Sequence, residues 1–213
     1  MPNSFDSLGF PSNYRCTVEP EFPGTGSWGC PTFEFPRTDA PGKPFRSPWG
    51  APFVIRVEPD SGEEWVGFFR AGGIAGLTGA FGCPSPVQIF VTTVGQAYLV
   101  NVEKPSDYQV LSFYPVLKIH RVAGADLVLV TSFISMLAID SQGPLWVTDR
   151  LCLDELDVVA TSPTSIVCTG SWLSGAKRFT VDPVSGDVIS GPVFLKDFPQ
   201  EMPTGRRWRR NTG

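Results

Sequence analysis

A strand pattern that recurs about every 40 residues constrains the fold of this chain more than any other feature. Residues 89–93, 128–132 and 166–170 align at offsets of 39 and 38 residues, and each run is rich in β-branched side chains. A second strand and a turn follow each run, and residues 54–58 with the later Trp65 form a weaker fourth copy. Several strands per unit predict an all-β fold of three to four repeated antiparallel β-units of the propeller-blade type.

Glycine and proline support this fold class because both residues interrupt helices and strand interiors. The 213 residues include 22 Gly and 21 Pro, and 11 of the prolines lie in the first 60 residues. We therefore predict an irregular, Pro-rich segment over residues 1–52, with one or two short strands, packed on the body through its many aromatic rings. Residues 53–200 are predicted to form the β-repeat domain, and residues 201–213 a basic, flexible tail.

Part of the repeat resembles a known family. Residues 138–146 contain a strand that ends in Asp140, a turn with Gly143, and Trp146 at the start of the next strand. This order is similar to the repeat of quinoprotein-type (pyrroloquinoline-quinone-like) β-propellers. Residues 181–189 follow the same order up to the turn, but Asp187 stands near the place of the tryptophan.

The resemblance covers about residues 85–192 and implies a small or partial propeller. A four-bladed ring, an open stack of sheets and a sandwich built from the same hairpins all remain open. The cofactor site of the family's enzymes has no residue-by-residue match in this chain, so we expect no cofactor.

Charge separates the body of the chain from its end. Seventeen basic and 21 acidic residues give a net charge of −4, and four of the arginines lie in one terminal cluster. The body alone carries −8, which argues against binding to a nucleic-acid backbone. The cluster itself is a candidate interaction site that consists of Arg206, Arg207, Trp208, Arg209 and Arg210.

Cysteine usage and the N-terminus favour a cytoplasmic protein. The five cysteines are irregularly spaced and form no CxxC pair, which predicts reduced thiols, with a Cys16–Cys30 disulfide as the alternative. The first residues lack the features of a secretory signal. Residues 71–102 are uncharged but contain six Gly and two Pro, so we predict buried strands there and no membrane span.

Three local patterns could carry chemistry, and we give each a structural interpretation. The single histidine, His120, shares a strand face with Lys118 and is predicted to face solvent, without a catalytic partner nearby in sequence. Glycines recur at every third position from Gly73 to Gly82, but without the Lys-Ser/Thr of a phosphate loop, which predicts a flexible or closely packed connection. The acidic residues of segment 154–157 lack the spacing of an EF-hand, and alternating exposure on a hairpin explains them.

No catalytic constellation or metal site therefore emerges, and we expect a non-enzymatic protein-interaction module that binds an unidentified protein and could form homo-oligomers through its sheet edges. The alternative is an enzyme or a carbohydrate-type ligand binder. In that case Asp140, Asp154, Asp182 and Trp146 would line a single cleft.

Overall fold

The computed structural model describes residues 5–18, 23–24, 26–37 and 50–194. These residues form sixteen β-strands and no α-helix, and the strands make four sheets of four strands each. The chain divides into two compact units, unit 1 from Met1 to Val116 and unit 2 from Leu117 to Gly213. Each unit contains two of the sheets.

Unit 1 begins with a sheet in the order β1-β3-β4-β2. Its strands are β1 (Tyr14–Val18), β2 (Thr32–Phe35), β3 (Phe53–Pro59) and β4 (Trp65–Phe69). All pairs in this sheet are antiparallel except β2 with β4, which is parallel. The second sheet is an antiparallel meander of β5 (Gly79–Gly82), β6 (Gln88–Thr93), β7 (Gln96–Asn101) and β8 (Tyr108–Leu111). The predicted segment 1–52 thus supplies two strands of the first sheet.

Unit 2 consists of two antiparallel meanders. The third sheet contains β9 (Lys118–Arg121), β10 (Val128–Thr131), β11 (Met136–Asp140) and β12 (Gly143–Val147). The fourth contains β13 (Asp154–Ser162), β14 (Ser165–Trp172), β15 (Gly175–Val181) and β16 (Val188–Ser190).

The all-β prediction is confirmed, and the sequence repeat corresponds to a repeat of sheets. The three aligned runs are β6, β10 and β14, each the second strand of its meander, and the runs that follow them form β7, β11 and β15. The weaker fourth copy forms β3 and β4 of the first sheet. The repeat is visible in sequence because each copy buries a β-branched strand pair between turns.

Both units have a core between their two sheets. In unit 1 the ring of Phe35 stacks on Phe69 with centroids 4.4 Å apart, and Phe69 meets Tyr98 of the second sheet edge-on at 5.3 Å. Phe35 comes from the Pro-rich segment, which therefore buries part of its aromatic content in this core. The core of unit 2 combines both of its sheets through side chains such as Met136 and Phe179.

One tryptophan in each unit connects the first sheet to the second. The indole N–H of Trp65 donates to the carbonyl of Val102 at 2.8 Å, and that of Trp146 donates to the carbonyl of Pro183 at 2.9 Å. Both acceptors lie 37 residues after the tryptophan. Each tryptophan is buried, so the contact also excludes water from the junction of the two sheets.

The corresponding ladder positions of the other two sheets carry no tryptophan. Trp146 pairs with Ala138, two residues before the end of β11. In the second sheet, the residue that pairs two positions before the end of β7 is Gln109. In the fourth sheet, the residue that pairs two positions before Asp182 is Ser190. Both residues are exposed. Among the described residues, the tryptophan contact thus occurs once in each unit.

Candidate functional site

Two neighbouring edge strands of unit 2 place three ionisable side chains together around the only histidine of the chain. Lys118 and His120 lie on β9, and Asp157 lies on β13. The Lys118 ammonium is 2.7 Å from the Asp157 carboxylate. We call Lys118, His120 and Asp157 the histidine site.

Local strand geometry explains why these side chains meet. Alternation along β9 puts Lys118 and His120 on the same face of the strand. On β13 the ladder register shifts on both sides of Asp157, which marks two bulges, and bulges change the direction of side chains on an edge strand. A backbone hydrogen bond from Ala123 to the Thr161 hydroxyl, 3.0 Å long, joins the same two regions.

Burial dominates the electrostatics of the histidine. It lowers the pKa of His120, an effect that the nearby Asp157 opposes and Lys118 strengthens, so the imidazole is neutral at pH 7. The hydrogen bond from Lys118 lowers the pKa of Asp157, which is therefore ionised. The Nε2 atom of His120 is buried and has no hydrogen-bond partner among the described residues. The structure thus half-buries His120, whereas strand alternation predicted that it faces solvent.

The histidine site places a hydrogen-bonding group beside two charged ones. A neutral imidazole beside a lysine–aspartate pair can accept or donate one hydrogen bond. Within the part of the chain that the structure describes, no group of three or more His, Cys, Asp or Glu side chains could hold a metal ion.

The sequence contained one signal for this site. Lys118 and Asp157 are 39 residues apart, and Ala123 and Thr161 are 38 apart, which are the offsets of the repeat itself. Residues one repeat apart occupy matching strands of consecutive sheets and can therefore be neighbours in space.

The cysteines are free thiols, so the alternative Cys16–Cys30 disulfide is not formed. Burial raises the pKa of Cys16 and of Cys168 to about 12, and it raises that of Cys152 to about 11. These thiols are therefore protonated at neutral pH and are poor nucleophiles.

The glycine-rich segment packs closely against its neighbours. A Cβ on Gly76 would lie 2.6 Å from the Val116 carbonyl, and one on Gly82 would lie 2.4 Å from the Ser7 carbonyl. The amide of Leu77 donates to Val116 and its carbonyl accepts from Gly95. These contacts occupy backbone donors and acceptors of the segment, and they support the prediction of a closely packed connection.

The residues named for a ligand cleft have other contacts. The Asp140 carboxylate accepts from the amide of Gln142, and the Asp182 carboxylate accepts from that of Val184, so both stabilise turns. Asp154 pairs with Ser171, at the end of the fourth sheet opposite Asp182. Because Trp146 is buried against the Pro183 turn as well, the four side chains do not line one cleft.

Exposed apolar side chains are concentrated in the fourth sheet. Val184, in the turn before β16, is 75% exposed, and Ile189, in β16, is 55% exposed. Ile189 lies at a shift in the register between β15 and β16, and Leu145 lies at the equivalent shift between β11 and β12. Leu145, however, packs against the core of unit 2. We call Val184 and Ile189 the β16 patch.

The basic cluster of Arg206, Arg207, Trp208, Arg209 and Arg210 lies outside the described residues. Within the described ranges, no helix is long and apolar enough to cross a membrane.

Neither a protein-family model nor a curated protein matches this chain.

Proposed function

We propose that this chain is a non-enzymatic protein-interaction module whose partner binds at the β16 patch. The observation that carries the proposal is the exposure of Ile189 at a position where the equivalent residue of the third sheet, Leu145, is packed. Two scattered exposed apolar residues would need no explanation, but one of these lies in the edge strand of a sheet and the other in the turn that leads into it.

The chemistry of the patch indicates the kind of partner. Among the described strands β16 pairs only with β15, so its outer side can accept an extended segment as an added strand. Asp182 and Asp187 lie on either side of Val184 in the same turn. We therefore expect a protein partner with apolar side chains on an extended segment and basic residues beside them.

The proposal also covers the architecture, in which the four sheets are arranged as blades of a quinoprotein-type propeller. Support comes from the recurrent order of strand end, glycine turn and tryptophan, since Trp65 and Trp146 both follow such a turn and both contact the next sheet. The five free thiols support a reducing compartment such as the cytoplasm.

Site-specific photo-crosslinking tests the interaction. A benzophenone amino acid is introduced at position 189 or, as a matched control, at Val110, which is also exposed and also lies in the last strand of a meander. In cells that produce the chain naturally, position 189 should give a crosslinked protein of defined mass that mass spectrometry identifies, whereas position 110 should not.

A crosslink of equal yield from both positions, or from neither, would contradict the proposal.

A second measurement tests whether the chain is non-enzymatic. Turnover of a substrate by the purified chain in broad hydrolase and oxidoreductase screens would show that the chain is an enzyme.

A further inference from the structure

The end of unit 2 opposite the β16 patch forms a second exposed surface. The turn of residues 132–135 and the turn of residues 172–175 both lie there, and each carries an exposed apolar side chain, Phe133 and Leu173. Leu173 is the most exposed of the large apolar side chains described, at 86%. We call residues 132–135, 148–155 and 172–175 the turn surface.

Backbone hydrogen bonds join the three segments of the turn surface. Leu151 donates to the carbonyl of Ile134 at 2.7 Å, and Leu153 donates to the carbonyl of Ser171 at 2.8 Å. The segments therefore form one connected surface, although they come from three different connections of the chain.

Carboxylates dominate the charge of this surface. Asp149, Asp154 and Glu155 are exposed, and none of them forms an ion pair with another described residue. Within the three segments the cation is Arg150, which donates to two backbone carbonyls, and Lys177 and Arg178 follow on β15. Lys118 is neutralised by its own partner in the histidine site. The surface thus combines apolar tips with unpaired negative charge.

The described chain ends on this same surface. The ring of Phe194 is 6.3 Å from that of Trp172, and the Arg150 guanidinium lies over it at 4.9 Å. Nineteen further residues follow Phe194 in the sequence, and Arg206 is the twelfth of them. Twelve extended residues span about 40 Å, which is more than the cluster needs to reach any part of the turn surface.

A buried donor at the same place lacks an acceptor. The indole Nε1 of Trp172 is buried and has no hydrogen-bond partner among the described residues. An unsatisfied buried donor costs about 1–3 kcal/mol, so a further segment of chain that supplies a carbonyl here would stabilise the unit. The ring of Phe194, the last described residue, packs beside that of Trp172, so the chain continues from a point next to this donor.

We propose that the basic cluster at residues 206–210 docks on the turn surface of unit 2 in the same molecule. Its four guanidinium groups pair with Asp149, Asp154 and Glu155, because arginine binds carboxylates through two parallel hydrogen bonds. The indole of Trp208 covers the apolar side chains of Phe133 and Leu173. This inference is independent of the β16 patch, which lies at the other end of the fourth sheet.

Photo-crosslinking in the full-length protein tests the proposal directly. A benzophenone amino acid replaces Trp208, and a mixture of normal and isotope-labelled protein distinguishes crosslinks within one molecule from those between molecules. We expect crosslinks within one molecule to residues 132–135, 148–155 or 172–175. Crosslinks between molecules, crosslinks to another surface, or no crosslink would each overturn the proposal.

Hydrogen exchange provides a second measurement that does not depend on the crosslinker. Replacement of the four arginines of the cluster by glutamine should speed exchange in the turn surface about tenfold, equivalent to about 1.4 kcal/mol of docking free energy. Leu173→Ser should have a similar effect on Phe133 and its neighbours, and the matched control Val184→Ser should not. Exchange that is unchanged in the arginine variant, or altered equally by both serine variants, would overturn the proposal.

Discussion

Replacement of Trp146 by alanine tests whether one tryptophan holds the two sheets of unit 2 together. The side chain is 8% exposed, and a buried aromatic side chain covers about 150–250 Å², which at about 25 cal/mol per Å² corresponds to about 4–6 kcal/mol as an upper bound. Its hydrogen bond to Pro183 adds about 1 kcal/mol. Because alanine retains the Cβ and the site relaxes partly, we expect the free energy of unfolding to fall by about 4 kcal/mol.

The phenylalanine variant separates the two contributions. Trp146→Phe keeps most of the apolar area but removes the N–H donor and leaves the Pro183 carbonyl unpaired, so we expect a loss of about 1–2 kcal/mol. Trp65→Ala is the matched control, since Trp65 makes the same contact in unit 1.

Urea denaturation followed by circular dichroism measures the loss of stability, and hydrogen exchange locates it. We expect Trp146→Ala to reduce amide protection most strongly within residues 117–194, and Trp65→Ala to do so within the described part of unit 1. The reasoning is refuted if Trp146→Ala costs less than about 1 kcal/mol, or if both variants lower protection in the same segments.

Three further predictions concern charge and packing. Asp157→Asn should lower the free energy of unfolding by less than about 1 kcal/mol because the pair with Lys118 is half-exposed, and 0.5 M NaCl should abolish the difference in urea denaturation. The lowered pKa of His120 means that the unfolded chain takes up the proton first, so thermal stability should fall as the pH drops below 6.5, and His120→Gln should show a weaker fall; an equal fall in both proteins would contradict this. Gly82→Ala should cost about 1–3 kcal/mol in thermal unfolding, because its Cβ would lie 2.4 Å from a backbone carbonyl, whereas Gly24→Ala, in open space, should be neutral.

Much of the fold could be predicted from the sequence because strands and turns depend on near neighbours in the chain. The β-branched runs of β6, β10 and β14 and the glycine or proline turns around them specify strand pairs wherever they occur. The parallel addition of β2 to β4 could not be predicted in the same way. That pairing joins residues more than thirty positions apart and depends on the core into which Phe35 packs.

The histidine site was only partly predictable. The face shared by Lys118 and His120 follows from strand alternation. The partner of Lys118 depends on the bulges that direct Asp157 from another sheet, and bulges on an edge strand have no reliable local sequence pattern. For the same reason, alternation along β9 alone suggested an exposed histidine.

By itself, then, the sequence determined the strand content, the period of the repeat and the excess of negative charge in the body, since each is set by residue types and their local order. The period also indicated some of the residues that can meet, because several contacts between the two sheets of a unit join residues 37 to 39 positions apart, as in Trp146 with Pro183 and Lys118 with Asp157. Only the tertiary structure decided which of these residues actually touch, that His120 is half-buried and neutral, and that Ile189 is left exposed where Leu145 is packed. Burial and pKa depend on groups that the chain brings together from distant positions, and no local pattern encodes those distances.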